Sequence, residues 1–118
     1  MKIKNQVTCV ELSQKMCELW FNQEGHYWWR IYIKSNEATL TTDDYCKSNP
    51  KDYTHYVAYT VAELGEMLPE WACTMKLPKE HNRKKWIATL HSKIETDSDT
   101  EANARAKMLI WLKENKLL

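Results

Sequence analysis

Apolar residues near the start of the chain recur at the three- and four-residue steps of a helix: Leu12, Met16, Leu19 and Trp20. This spacing places them on one face, with polar residues between them. Thr8 and Glu11 have the T-x-x-E form of a capping box, in which each side chain satisfies a free backbone N–H at a helix start. We predict a helix from about residue 9 to 21, followed by a turn at Gly25.

The hydrophobic period changes to two in the stretch "GHYWWRIYI", Gly25 to Ile33. Its aromatic and β-branched residues favour a strand, in which alternate side chains point to opposite faces. The more apolar set is predicted to face the core: Tyr27, Trp29, Ile31 and Ile33. The other set shares the opposite face: His26, Trp28, Arg30 and Tyr32.

Residues 35 to 52 lack sustained periodicity and are rich in turn formers, so we predict a long loop with room for one short edge strand near Ala38 to Thr42. "HYVAY" suits a brief extended segment. A second helix is then predicted, because Thr60 and Glu63 repeat the capping-box pattern and Val61, Leu64 and Leu68 share a face. Pro69 ends it.

Two alternating runs, residues 71 to 77 and 86 to 94, predict a hairpin whose polar tip holds Arg83, Lys84 and Lys85. A last helix is predicted from about residue 100 to 115, with Ser98 or Asp99 as N-cap and Glu101 at the capping-box position. Its apolar residues are predicted to form one stripe, with Ile110 and Met108 beside it: Ala102, Ala106, Leu109, and Leu112 or Lys113.

The predicted order is helix, strand, loop, short helix, strand, strand, helix. We therefore expect an α+β fold with a small antiparallel sheet of about three strands packed against helices. A chain of 118 residues suits one domain, residues 1–118, around one core.

Composition narrows the classes of partner. The 17 basic and 16 acidic residues nearly cancel, so the chain lacks the overall positive field typical of nucleic-acid binders. No apolar run approaches the ~20 residues that span a bilayer, so we expect no membrane contact and a cytoplasmic location. The four cysteines, Cys9, Cys17, Cys46 and Cys73, form no disulfide framework and are expected to be reduced.

Three stretches resemble small accessory proteins encoded by bacteriophages, prophages and mobile elements of gut bacteria. "TVAELGEMLP" from Thr60 and "EANARAKMLIWLKEN" from Glu101 match their middle and closing patterns well, and "VTCVELSQKM" from Val7 matches their front helix loosely. The resemblance implies provenance, in a bacterial host cell, and transfers no catalytic or binding residue.

The sequence offers no arrangement typical of catalysis or of a metal site. Cys73, His81 and His91 have irregular spacing for zinc, and Cys46 with His55 lacks a flanking motif for a catalytic pair. Paired acids such as Asp43 and Asp44 are expected in a solvated loop. Only two glycines are present, so a glycine-rich phosphate loop is excluded. We expect no cofactor, no metal and no enzymatic activity.

Two surfaces are the candidate binding sites. The first is the array of His26, Trp28, Arg30 and Tyr32, because aromatic and arginine side chains concentrate binding energy in protein interfaces; burial under a helix or under residues 35 to 52 is the alternative. The second is the basic tip, Arg83 to Lys85, which suits phosphate contacts or a solvated turn. We predict a non-catalytic module that binds a host or phage protein, or a second copy through this face. The alternative partner is a nucleic acid, bound through the aromatic face and the tip.

Overall fold

The computed structural model describes residues 2–42, 52–70, 72–77, 85–90 and 94–118. Within these residues a short 3-10 helix, Ile3–Asn5, precedes three α-helices: α1 (Val10–Glu18), α2 (Val61–Met67) and α3 (Glu101–Glu114). Six strands accompany them: β1 (Tyr27–Tyr32), β2 (Ala38–Thr42), β3 (Tyr53–Val57), β4 (Ala72–Lys76), β5 (Trp86–Leu90) and β6 (Ile94–Ser98).

The strands form two antiparallel sheets, which confirms the α+β class and corrects the expectation of a single sheet of about three strands. Sheet 1 has the order β2-β1-β3, and sheet 2 has the order β4-β5-β6. The predicted hairpin is present in sheet 2, where the Leu77 N–H donates to the Lys85 carbonyl at 2.7 Å beyond the β4–β5 ladder.

Strand β6 was not predicted, because its sequence "IETDS" carries two acids and few apolar residues. Contacts distant in sequence hold it in place. The Thr96 hydroxyl donates to the Ala104 carbonyl of α3 at 2.8 Å, and Lys107 Nζ donates to the Asp97 carbonyl at 2.7 Å. Such tertiary bonds override a weak strand propensity.

Helix α3 is buried on two sides, whereas a single stripe was predicted. One side packs in a cluster with Met16, Val57, Tyr59 and Leu64 through four α3 residues: Ala102, Ala106, Leu109 and Ile110. The other side packs against Ala88 and Leu90 of sheet 2 through three more: Ala104, Met108 and Leu112. One helix therefore joins two clusters of buried residues, where a single core was expected.

The helix starts follow the predicted capping chemistry at one of three positions. The Thr60–Glu63 capping box is confirmed, with bonds of 3.2 Å and 2.9 Å between side chains and backbone N–H groups. Helix α3 is capped by Thr100, not by Ser98 or Asp99.

The capping box predicted from Thr8 and Glu11 is wrong. Cys9 is the N-cap of α1 and makes no side-chain capping bond. The buried Thr8 hydroxyl instead contacts the Ser13 hydroxyl at 2.6 Å and accepts the Tyr59 N–H at 3.0 Å. Thr8 thus joins the start of α1 to the segment that follows β3.

Candidate binding surface

Sheet 1 carries the aromatic residues singled out in the sequence, and it is buried far less than sheet 2. All six residues of β1, the central strand, are half-buried, and among the described strands of this sheet only Val57 is buried. In β5, the central strand of sheet 2, four of five residues are buried. Both faces of sheet 1 therefore keep partial access to solvent.

Alternation divides β1 into two faces as predicted, but the assignment of the core face is wrong for Trp28 and Ile33. Trp28, expected on the outer face, packs against the cluster around Met16 and Leu64, and its cross-strand partner Val57 is fully buried. Ile33, expected in the core, is 56% exposed. Trp29, from the predicted core face, is half-buried, and its indole Nε1 donates to the Thr8 carbonyl at 2.7 Å.

Beyond Trp28, the same face of sheet 1 carries a group of contacting side chains from β1 and β3. The register pairs Arg30 with His55 and Tyr32 with Tyr53, so all four side chains share one face. The Arg30 guanidinium carbon lies 4.6 Å from the Tyr53 ring centroid, and the Tyr32 and Tyr53 rings are 5.3 Å apart. We call Arg30, Tyr32, Tyr53 and His55 the arginine–tyrosine cluster.

The electrostatics of the cluster favour a neutral His55. Partial burial lowers the pKa of its imidazole below the ordinary value of 6.5, and the positive charge of Arg30 lowers it further. Among the described residues, no hydrogen-bond partner reaches the buried Nε2 of His55 or the buried Nε1 of Trp28. Two polar atoms on this face are thus enclosed without a protein partner there.

Three of the four residues predicted for the first surface lie on this face, in different settings. Trp28 is packed inward, whereas Arg30 and Tyr32 belong to the cluster. His26 lies before the start of β1 and is exposed. Tyr53 and His55 were missed, because the pairing of β3 with β1 depends on strand register rather than on a local motif.

The second predicted surface is described only at its end. Arg83 and Lys84 lie outside the described residues, and Lys85 is exposed. Lys85 lines a cavity of about 480 Å³ whose wall includes Trp86, Val61, Gln6 and Asp99. The lysine thus adjoins an aromatic side chain, although the basic run as a whole has no described geometry.

Trp20 is a candidate contact residue that the sequence pattern assigned to the apolar stripe of α1. Its side chain is 89% exposed, and its backbone φ is 66°. Two bonds of 3.1 Å, from the Trp20 N–H to Cys17 and from the Phe21 N–H to Met16, form a Schellman turn at the helix end. Glycine is the usual residue there, and neither the backbone nor the core gains from a tryptophan.

The described residues contain no group of three His, Cys, Asp or Glu side chains that could hold a metal ion. Cys46, His81 and His91 lie outside them, so no distances are described for the predicted combinations of cysteine with histidine. Cys73 is exposed, with its sulfur 3.2 Å from the Thr89 hydroxyl. Burial raises the pKa of Cys9, which disfavours its reactive thiolate.

Comparison with protein-family models, with curated proteins and with solved structures yielded no match. In the part of the chain that the structure describes, no helix is both long and apolar enough to cross a membrane.

Proposed function

We propose that this chain is a non-catalytic protein-binding module, an accessory protein of a phage or mobile element whose partner is a host or phage protein. The arginine–tyrosine cluster is the contact surface. The observation that carries the proposal is the stack of Arg30 on Tyr53, beside Tyr32, on a sheet whose central strand has no buried residue.

The composition of the cluster supports a protein partner. Tyrosine and arginine are enriched among the residues that dominate binding energy, because each offers a large contact area together with polar atoms. The Tyr53 ring already contacts both the Arg30 guanidinium and the Tyr32 ring. A side chain that is ordered before binding loses less conformational entropy when the partner docks.

The charge of the cluster also bears on the class of partner. The lowered pKa of His55 keeps this residue neutral near pH 7, so Arg30 is the one positively charged member of the cluster. A single positive charge beside two tyrosines suits a mixed polar and apolar protein surface, whereas nucleic-acid affinity grows with the number of phosphates neutralised.

Affinity capture from a host lysate tests the proposal with four matched proteins: wild type, two cluster variants and a control. Arg30→Ala and Tyr32→Ala each remove a cluster side chain. Thr54→Ala alters an exposed neighbour on the opposite face of sheet 1. All are first compared by circular dichroism and thermal melting, so that loss of binding is separated from loss of fold.

After nuclease treatment of the lysate, wild type and Thr54→Ala should capture the same partner protein in equal amounts. Both cluster variants should fail to capture it. Equal capture by all four proteins would reject the cluster as the contact surface. Nuclease-sensitive capture would instead favour the nucleic-acid alternative, which a salt-sensitive mobility shift with single-stranded DNA or RNA would support.

A further inference from the structure

Strand β2 lies at the edge of sheet 1 among the described strands and presents backbone groups outward. In an antiparallel ladder, successive residues alternate between bonding the neighbouring strand and pointing away from it. The Tyr32 N–H donates to the Glu37 carbonyl at 3.0 Å, which sets the phase of the β1–β2 ladder. Thr39 and Thr41 then bond β1, whereas Ala38, Leu40 and Thr42 direct their N–H and C=O groups to the side of β2 on which no described strand lies.

This edge lacks the charged side chains that both edge strands of sheet 2 carry. Proteins commonly place charged residues, proline or bulges on edge strands to prevent pairing with other chains. Lys76 is in β4, Glu95 and Asp97 are in β6, and His55 is in β3. Strand β2, "ATLTT", is the one edge strand among the described elements without a charged or titratable side chain.

We propose that the β2 edge pairs antiparallel with β2 of a second copy of this chain, about a twofold axis at Leu40. This register places Ala38 opposite Thr42 of the partner copy and Leu40 opposite its own counterpart. All three outward-facing residues then exchange backbone hydrogen bonds across the axis. Thr39 faces the counterpart of Thr41, a cross-strand pair that is favourable in antiparallel sheets.

A second copy suits this edge better than an unrelated strand because the sequence is self-complementary. Across a twofold axis, each residue of β2 meets a residue of the same strand in the second copy. Because "ATLTT" contains no charged residue, this pairing brings no like charges together. The exposed Ala38 and Thr42 and the half-buried Leu40 leave the edge sterically accessible.

The dimer would contain a continuous sheet of six strands. An axis normal to the sheet keeps equivalent faces on one side, so both arginine–tyrosine clusters would point the same way. Two equal sites on one surface increase apparent affinity for a partner that offers two copies of its own site. The pairing surface is small, so we expect a weak, concentration-dependent dimer.

Sedimentation velocity tests the pairing between about 1 µM and 1 mM, the range in which weak complexes dissociate. Leu40→Lys and Leu40→Glu each place two like charges opposite one another at the axis, and each should weaken self-association by about tenfold or more. An equimolar mixture of the two variants places opposite charges there and should restore the dimer. Thr54→Lys, which adds the same charge at an exposed position of β3, should behave as wild type.

Ala38→Pro provides a second disruption, because it removes an outward N–H without touching the bonds from β2 to β1. It should also yield a monomer with an unchanged melting temperature. A wild-type protein that is monomeric at all concentrations would overturn the proposal. So would a dimer that persists in Ala38→Pro, or a Lys and Glu mixture that stays monomeric while both variants are folded.

Discussion

Trp20 combines two unfavourable features at one residue. A left-handed backbone costs about 1 kcal/mol or more for a residue with a side chain, and a tryptophan that is 89% exposed gains almost nothing from burial. Residues that break local rules without a structural gain are often functional. The fold therefore gains nothing at this position from the side chain that it carries.

We predict that Trp20→Gly raises the free energy of unfolding by about 1 kcal/mol, because glycine adopts this φ without strain. Urea denaturation followed by circular dichroism measures the change. Lys116→Gly is the matched control, since Lys116 follows the C-cap of α3 with a φ of 58° and is also exposed. A destabilised Trp20→Gly beside a stabilised Lys116→Gly would show that the indole supports the fold.

His55 gives stability a pH dependence whose sign follows from its lowered pKa. The unfolded chain takes up a proton near 6.5 and the folded chain only at lower pH, because burial and Arg30 disfavour the imidazolium. The contribution of neutral His55 is thus present above pH 6.5 and is lost as the pH falls through the folded pKa.

We predict that lowering the pH from 7.5 to 5.5 destabilises wild type more than His55→Gln, as measured by urea unfolding at both pH values. His26→Gln is the control, because it removes a histidine from an exposed position before β1. Equal pH dependence in wild type and His55→Gln would contradict the burial of this imidazole.

At the scale of elements, α3 determines how the two sheets are held. Met108 and Leu109 are adjacent in sequence, yet each is fully buried in a different cluster. A helix with a single apolar stripe would expose at least part of its opposite side. The low exposure of both residues therefore defines α3 as the element shared by the two parts of the fold.

We predict that Met108→Ala and Leu109→Ala each lower the free energy of unfolding by about 2 to 5 kcal/mol, the usual cost of removing a large buried side chain. Glu114→Ala, at the exposed end of the same helix, should change it by less than about 0.5 kcal/mol. Chemical denaturation measures all three. A small loss for either buried residue would mean that one side of α3 is not packed.

Elements with strong local signals could be predicted from the sequence, and their assembly could not. The Thr60–Glu63 box, the alternation of β1 and the predicted β4–β5 hairpin depend on residues close in sequence. Strand β6 depends on bonds from α3, so its own five residues were insufficient to reveal it. Alternation also shows which residues share a face without showing which face meets the helices, as Trp28 illustrates.

The candidate site was predictable in part for the same reason. Arg30 and Tyr32 share a strand, so their common face follows from a period of two. Tyr53 and His55 join them through the β1–β3 register, which is a tertiary property. The exposure of Trp20 depends on where α1 ends, and helix ends are the least certain part of a periodic pattern.

At the scale of the whole molecule, the two sheets differ in how well the helices cover them. Strands β1 and β5 are both central strands of three-stranded antiparallel sheets, which makes them a matched pair. Each of them is hydrogen-bonded to two neighbouring strands. Only β5, however, is largely buried. Local opening should therefore be easier in sheet 1.

We predict that the amides of β1 exchange with deuterium at least about tenfold faster than those of β5 in the isolated protein. Hydrogen exchange with peptide-level mass spectrometry measures both strands in one sample. Equal protection would show that sheet 1 is held as firmly as sheet 2 despite its lower burial.

The most direct test of the central claim, that a protein docks on the arginine–tyrosine cluster, is site-specific photo-crosslinking in bacterial cells. A benzophenone amino acid replaces Tyr32 in one protein and Met75, an exposed residue of β4, in another. We predict a discrete protein adduct from position 32 and none from position 75. A greater mass or a different composition should distinguish this adduct from a crosslinked dimer of the chain itself. A nucleic-acid adduct at position 32, or a partner protein captured only at position 75, would contradict the claim.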